Sequence, residues 1–210
     1  MENSDIAQGY CFLSAVPMRA EPSDRAEMVN QLLLNDTFDI LDSQPKWSLI
    51  RCHFDGYKGW IDNKQYRLGT PIDTAASPLQ SSPSKVAYEK YMDAPYMWGG
   101  RTAMGIDCSG LTQVCFKACG IALLRDASQQ ATQGVEVSNI DSIQCDDLCF
   151  FQNENGRIVH VGICMGDGRV IHASGQVRID RLDAQGIFNL DTQSYSHQLH
   201  SIRRIVCSKS

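Results

Sequence analysis

The apolar patterning predicts an α+β protein: a small β-barrel, then a second domain whose helices precede a mainly antiparallel sheet. Three observations carry this. Short β-type runs fill residues 9–68, a proline-rich stretch spans 69–84, and beyond it apolar residues recur first at helical spacing and then in strand-like runs. With 210 residues, one or two domains are expected.

The barrel runs are Tyr10 to Leu13, Gln31 to Leu34, Phe38 to Leu41, Trp47 to Cys52 and Gly56 to Ile61. Asn35-Asp36, Ser43-Gln44-Pro45 and Asp55-Gly56 separate them as turn formers. A barrel this small is near the lower limit for an independent core and is expected to lean on a neighbour. Residues 69–84 hold three of the seven prolines and show no periodic apolar face, so they read as an extended linker. The expected division is a barrel over 1–70, a linker over 71–84 and a second domain over 85–210.

In the second domain, Val86 to Met92 reads as helical and a Gly-rich loop follows at 99–105. A helix over 108–119 places Leu111, Val114, Cys115, Ala118 and Cys119 at spacings of three and four, and Gly120 stops it. Ala127 to Thr132 is a second short helical stretch. Leu148 to Gln152, Ile158 to Met165, Arg169 to Ala173 and Val177 to Leu182 then read as strands.

Nineteen basic residues face twenty-four acidic ones, a net charge of −5 with no long basic run, which argues against nucleic acid or an anionic membrane as partner. No stretch approaches the ~20 apolar residues that cross a bilayer. The start, Met1-Glu2-Asn3-Ser4-Asp5, is polar and acidic where an export signal would be basic. Nine cysteines, an odd number, favour a reducing compartment, so a cytoplasmic location is expected.

The most unusual local context is Gly105-Ile106-Asp107-Cys108-Ser109-Gly110, which leads directly into the amphipathic helix. A cysteine at a helix N-terminus feels the positive end of the dipole and unpaired backbone N–H groups, which favour thiolate and can also receive an oxyanion. The plainer reading of Cys108 is a small buried residue, as expected for Cys11, Cys52, Cys115 and Cys119. Two of the five histidines tip the balance, because His160 and His172 lie inside apolar strand runs with Gly166-Asp167-Gly168 as a turn between them. Side by side on one sheet face, they complete the set of nucleophile, base and orienting group that covalent acyl transfer requires. His53, His197 and His200 read as surface residues. Cys145 and Cys149 with the same two histidines have tolerable zinc spacing, but Cys149 sits in a strand and no tight Cys-x-x-Cys pair exists, so no metal and no other cofactor is expected.

Pro95-Tyr96-Met97-Trp98-Gly99-Gly100, Asp107-Cys108-Ser109-Gly110-Leu111, Asp146-Asp147-Leu148, His160-Val161-Gly162 and Ile171-His172-Ala173-Ser174-Gly175 follow one another as in the NlpC family of papain-like cysteine peptidases. Residues 84–207 resemble that family. The preceding barrel resembles a bacterial SH3-like domain, and Glu27 to Leu33 followed by Gly56-Tyr57-Lys58-Gly59-Trp60 resembles the subgroup of γ-D-glutamyl-L-diamino acid dipeptidyl-peptidases.

The resemblance implies an SH3-like β-barrel before a papain-like α+β domain. It also implies hydrolysis of the amide between the γ-carboxyl of D-glutamate and the diamino acid in peptidoglycan stem peptides with a free N-terminal L-alanine, in cell-wall peptide recycling or turnover. Carried onto this chain, Cys108 is the nucleophile, His160 the base and His172 the residue that fixes its ring. Tyr96 donates to the oxyanion. Asp107 and Ser109 accept the free amine, Glu27 and Tyr57 are the barrel's contribution to a groove that measures two residues, Trp98 lines the pocket, and Arg125 pairs the free carboxylate of D-glutamate. The family's Arg-x-Ser arrangement arrives one position late, as Arg125-Asp126-Ala127-Ser128, and its usual Gly-Asp-Leu is Asp146-Asp147-Leu148. A monomer is expected, with the stem peptide as partner. Two other classes compete: a peptide- or glycan-binding module on an inactive papain-like scaffold, and a zinc-stabilised structural protein.

Overall fold

A computed structural model describes residues 6–71 and 77–206. The chain divides into two compact units, Met1–Ser77 with Trp98–Arg101, and Pro78–Met97 with Thr102–Ser210. The break at Ser77 falls within the stretch expected to be a linker, of which residues 72–76 lie outside the described residues.

The first unit is one antiparallel sheet of seven strands: β1 (Gln8–Tyr10), β2 (Ala15–Arg19), β3 (Met28–Leu33), β4 (Thr37–Ser43), β5 (Trp47–Cys52), β6 (Lys58–Asp62) and β7 (Arg67–Leu68). Its order is β3-β2-β6-β5-β4-β1-β7. Alternate residues turn inward, and Val16, Met18, Leu32, Phe38, Ile50 and Ile61 make a fully buried core. Strand β2 goes beyond the sequence expectation because Pro17 argues against a strand there. The structure tolerates it, since β2 pairs along its length with β3 but meets β6 only at Arg19. The segment Trp98–Arg101 belongs to this unit through Arg101, which is buried. Its backbone N–H donates to Gln31 Oε1 at 2.7 Å, and its guanidinium reaches the Gln31 carbonyl at 2.7 Å and Asp36 Oδ2 at 3.1 Å.

The second unit opens with α1 (Pro83–Tyr91), capped by the Ser82 hydroxyl with proline in the first turn. A two-stranded ribbon, β8 (Arg101–Thr102) and β9 (Gly105–Ile106), leads into α2 (Cys108–Ala118), followed by α3 (Ala127–Gln130). The main sheet contains β10 (Val135–Glu136), β11 (Leu148–Gln152), β12 (Ile158–Gly166), β13 (Arg169–Ser174), β14 (Gln176–Asp183), β15 (Gly186–Asn189) and β16 (Ser194–Arg204). Its order is β10-β16-β11-β12-β13-β14-β15, and β16 also pairs with β15. That extra pairing closes β11 to β16 on themselves.

Two turns show how local sequence sets this frame. Strands β12 and β13 are joined by Asp167 and Gly168, with φ of 52° and 67°. This is the tight hairpin turn whose twist suits antiparallel strands. Asp146, where the family resemblance leads one to expect glycine, also has a positive φ of 70°. Aspartate is among the residues that tolerate this region, and its carboxylate accepts the Ser84 N–H at the start of α1 at 2.7 Å.

Candidate active site

Helix α2 begins where the sequence predicts because Asp107, extended at φ −94° and ψ 175°, caps it: Oδ1 accepts the Gly110 N–H at 2.6 Å. Cys108 is therefore the first helical residue. Tyr96 runs alongside, bridged to Ile106, with the Met97 N–H donating to the Ile106 carbonyl at 3.1 Å and the Ile106 N–H to that of Pro95 at 3.0 Å. Burial, then the charges of Cys108 and Asp107, push the Tyr96 phenol up to about 12. At neutral pH it keeps its proton and can donate.

The two histidines meet. His160 Nε2 and His172 Nδ1 share a hydrogen bond at 2.9 Å, and His172 Nε2 lies 3.0 Å from Asp180 Oδ2. Gly162 makes room for this, since a Cβ there would sit 2.5 Å from Val170 Cγ2 and 3.1 Å from His172 Cβ. Asp180 is buried, which alone would raise its pKa. Bonds from His172, from Arg178 at 2.7 and 2.9 Å, and from the Leu190 N–H at 2.9 Å outweigh that and hold it well below the usual carboxylate range.

An ionised carboxylate only accepts, so Asp180 places a proton on His172 Nε2. In the neutral tautomer of His172 that this selects, Nδ1 is the acceptor, so His160 donates through Nε2 and its Nδ1 carries the lone pair. That lone pair is free to take a proton. Sequence reasoning missed Asp180, although it interrupts an apolar strand on the same inward side as Leu182.

Cys108 reaches the same place: the backbone N–H groups of Val161, next to His160, and of Ser109 donate towards its sulfur. The structure corrects the expected thiolate. Burial, then the negative charge of Asp107, push the Cys108 thiol up to about 12, and the N–H groups and Arg125 do not reverse this. Burial, then His172 and His197, hold His160 well below the usual histidine value. Thiol and imidazole are then both neutral, a pair in which a proton can pass from sulfur to His160 as the sulfur attacks a substrate.

Other expected site residues take different places. Arg125 is only 1% exposed and donates to Asp107 Oδ1 at 3.0 Å, Asp107 Oδ2 at 2.5 Å and Ser109 Oγ at 2.8 Å. It is the buried counter-ion of the helix cap, which corrects its expected role as a partner for a substrate carboxylate. Asp107 and Ser109 lie together at the start of α2, where the carboxylate accepts from Gly110, Ser109 and Arg125. Glu27, Tyr57 and Trp98 all fall in the first unit. Glu27 is exposed and accepts the Trp98 indole N–H at 2.6 Å, while Tyr57 packs on the barrel core. Cys145 touches Ser84 and Cys149 is fully buried. Among the described residues, no three potential ligands gather round a metal position. His53 and His200 are exposed as expected, but His197 is not a surface residue. It is half-buried, and its ring stacks on that of His160.

Comparison with known proteins decides the family. The NlpC/P60 family profile matches residues 93–204, more than half of the chain. The chain belongs to the NlpC/P60 family. Residues 18–65 match the bacterial dipeptidyl-peptidase Sh3 domain, so an SH3-like domain precedes the NlpC/P60 papain-like domain. The γ-D-glutamyl-L-lysine dipeptidyl-peptidase of Bacillus cereus is 32% identical over 155 residues, which is 71% of this chain and 44% of that protein. The protein of the same name from Bacillus subtilis is 35% identical over 116 residues, 54% of this chain and 37% of its own length. The chain thus spans less than half the length of these two NlpC/P60 relatives. A crystal structure of an NlpC/P60 family protein from Bacillus cereus shares the fold at a TM-score of 0.51 and 22% identity, over 96% of this chain and 64% of that one.

Proposed function

We propose that this chain is a cysteine peptidase that hydrolyses the amide between D-glutamate, through its γ-carboxyl, and the diamino acid of peptidoglycan stem peptides with a free L-alanine. The observation that carries the chemistry is the Asp180–His172–His160 relay ending in a bare Nδ1, with Cys108 held beside Val161 at the start of α2. Family membership and the names of the two Bacillus relatives support the bond and the substrate class. In this reading Cys108 attacks the γ-carbonyl, Tyr96 and the helix N–H groups receive the oxyanion, and protonated His160 returns its proton to the leaving amine. Reading of the free amine is assigned by resemblance to Asp107 with Ser109 beside it, with Glu27 and Tyr57 as the barrel's contribution. Recycling or turnover of cell-wall peptides in a reducing cytoplasm completes the proposal.

The test is mass spectrometry of L-Ala-γ-D-Glu-L-Lys and its N-acetylated twin after incubation with the reduced protein. The free peptide should release L-Ala-D-Glu, and the acetylated one should react about 100-fold or more slowly, since acetylation removes the ammonium group that the assigned acceptors pair. No product from either peptide overturns the proposal. Equal rates overturn the reading of the amine.

A pH prediction follows from His160. The base works only when unprotonated, and its pKa is lowered, so the acid limb of kcat/KM should lie below pH 6.5, the ordinary histidine value. A rate profile across pH 4–8 that halves at or above 6.5 contradicts the neutral-pair mechanism.

A further inference from the structure

We infer that His197 is a positioning residue: its ring forms a flat wall on one face of the His160 imidazole and keeps that ring aimed at Cys108. This rests on His160 being the base of the proposed reaction. The centroids of His160 and His197 are 4.1 Å apart with an interplanar angle of 23°, a stacked pair. His172 meets both rings edge-on, at 5.0 Å and 86° from His160 and 5.9 Å and 80° from His197. Phe151 flanks them at 5.8 Å from His160 and 6.1 Å from His197.

A wall is needed because the tether is a single bond. His172 holds His160 only through Nε2, and a ring fixed at one atom can still swing about that bond. Swinging moves Nδ1, the atom that takes the thiol proton. A ring packed parallel to it removes that freedom, and near-attack geometry is where small displacements cost most.

The strand that carries His197 is shaped to deliver it. The β15–β16 ladder shifts register between Ile187 and Phe188, and the β11–β16 ladder shifts between Phe150 and Phe151. Such irregularities re-aim side chains beside active sites. The approach of β15 is so close that a Cβ on Gly186, at φ +139°, would lie 1.9 Å from the His197 carbonyl oxygen. Ser196 Oγ lies 2.8 Å from His197 Nδ1 and holds the ring's own orientation. Burial, with His172 adding to it and Asp180 opposing, pushes His197 down to about 4, so a neutral ring faces His160 when that residue becomes cationic.

The experiment reads the base directly. Carboxamidomethylation of Cys108 by iodoacetamide at pH 7 is followed by mass spectrometry of the peptide that contains it. The wild type is compared with His197→Phe and His197→Tyr, which keep a flat ring, and with His197→Leu and His197→Met, which keep apolar bulk without one. His160→Gln sets the background. Comparison is made among variants whose unfolding midpoint matches the wild type, and a member of each class suffices. The flat replacements should react within about twofold of the wild type, and the others about tenfold or more slowly. Leu or Met variants as fast as the wild type, or Phe and Tyr variants as slow as Leu and Met, overturn the inference. Failure of the peptide substrate to be cleaved leaves this rate ranking standing, so the two readings fall separately.

Discussion

Cys108→Ala is expected to abolish peptide hydrolysis, by about 10⁴-fold or more, while the protein stays folded. The loss is this large because the remaining groups have nothing to activate: the His160 base would have no thiol proton to take, and the donors of Tyr96 and the helix would await an oxyanion that never forms. The fold should survive because the thiol is neutral. Its burial against the Val161 and Ser109 N–H groups contributes about 1 kcal/mol of packing and weak hydrogen bonding, the usual scale for a single buried change. Alanine is also the best helix former at that first position of α2. Circular dichroism should show the wild-type unfolding transition alongside an absent rate. Full activity in this variant would falsify the assignment of the nucleophile.

How much of this was legible in sequence follows how local each feature is. Helix α2 was readable because its determinants lie within residues 108–120: the three-and-four spacing and Gly120 as the stop. His160 and His172 could be paired because a two-residue turn with glycine fixes their strands in register. Strand β16 was not readable. Its sequence, Ser-Tyr-Ser-His-Gln-Leu-His-Ser-Ile-Arg-Arg, offers little apolar alternation, with only Ile202 fully committed to the core. What makes it a strand is pairing with β11 and β15 together, a long-range fact. His197 was lost with it. Asp180 was missed and Arg125 was read as a substrate contact for a related reason. Arg178 lies only two positions from Asp180, but the histidine that gives that carboxylate its place in the site lies 8 away, and Arg125 lies 18 from Asp107.

Arg125→Met is expected to cost about 3–5 kcal/mol of stability, because it leaves the Asp107 carboxylate buried without its counter-ion. For a chain of this size that lowers the unfolding midpoint by about 6–20 °C. Asp107 cannot relax into water, since it is 5% exposed and tied by the Gly110 N–H to the first turn of α2. The double variant Arg125→Met with Asp107→Asn should recover most of the loss. Asparagine still accepts the Gly110 N–H and carries no charge to be stranded. Activity separates the two readings of Arg125. A residue that binds the D-glutamate carboxylate would raise KM and leave the midpoint unchanged, whereas the counter-ion of the cap lowers the midpoint first. It also slows the chemistry, because the uncompensated Asp107 charge, which already raises the Cys108 thiol, opposes formation of the thiolate more strongly. Thermal unfolding of the three proteins, with kcat and KM measured at a temperature where all are folded, decides between them. An unchanged midpoint in Arg125→Met would return the arginine to the substrate.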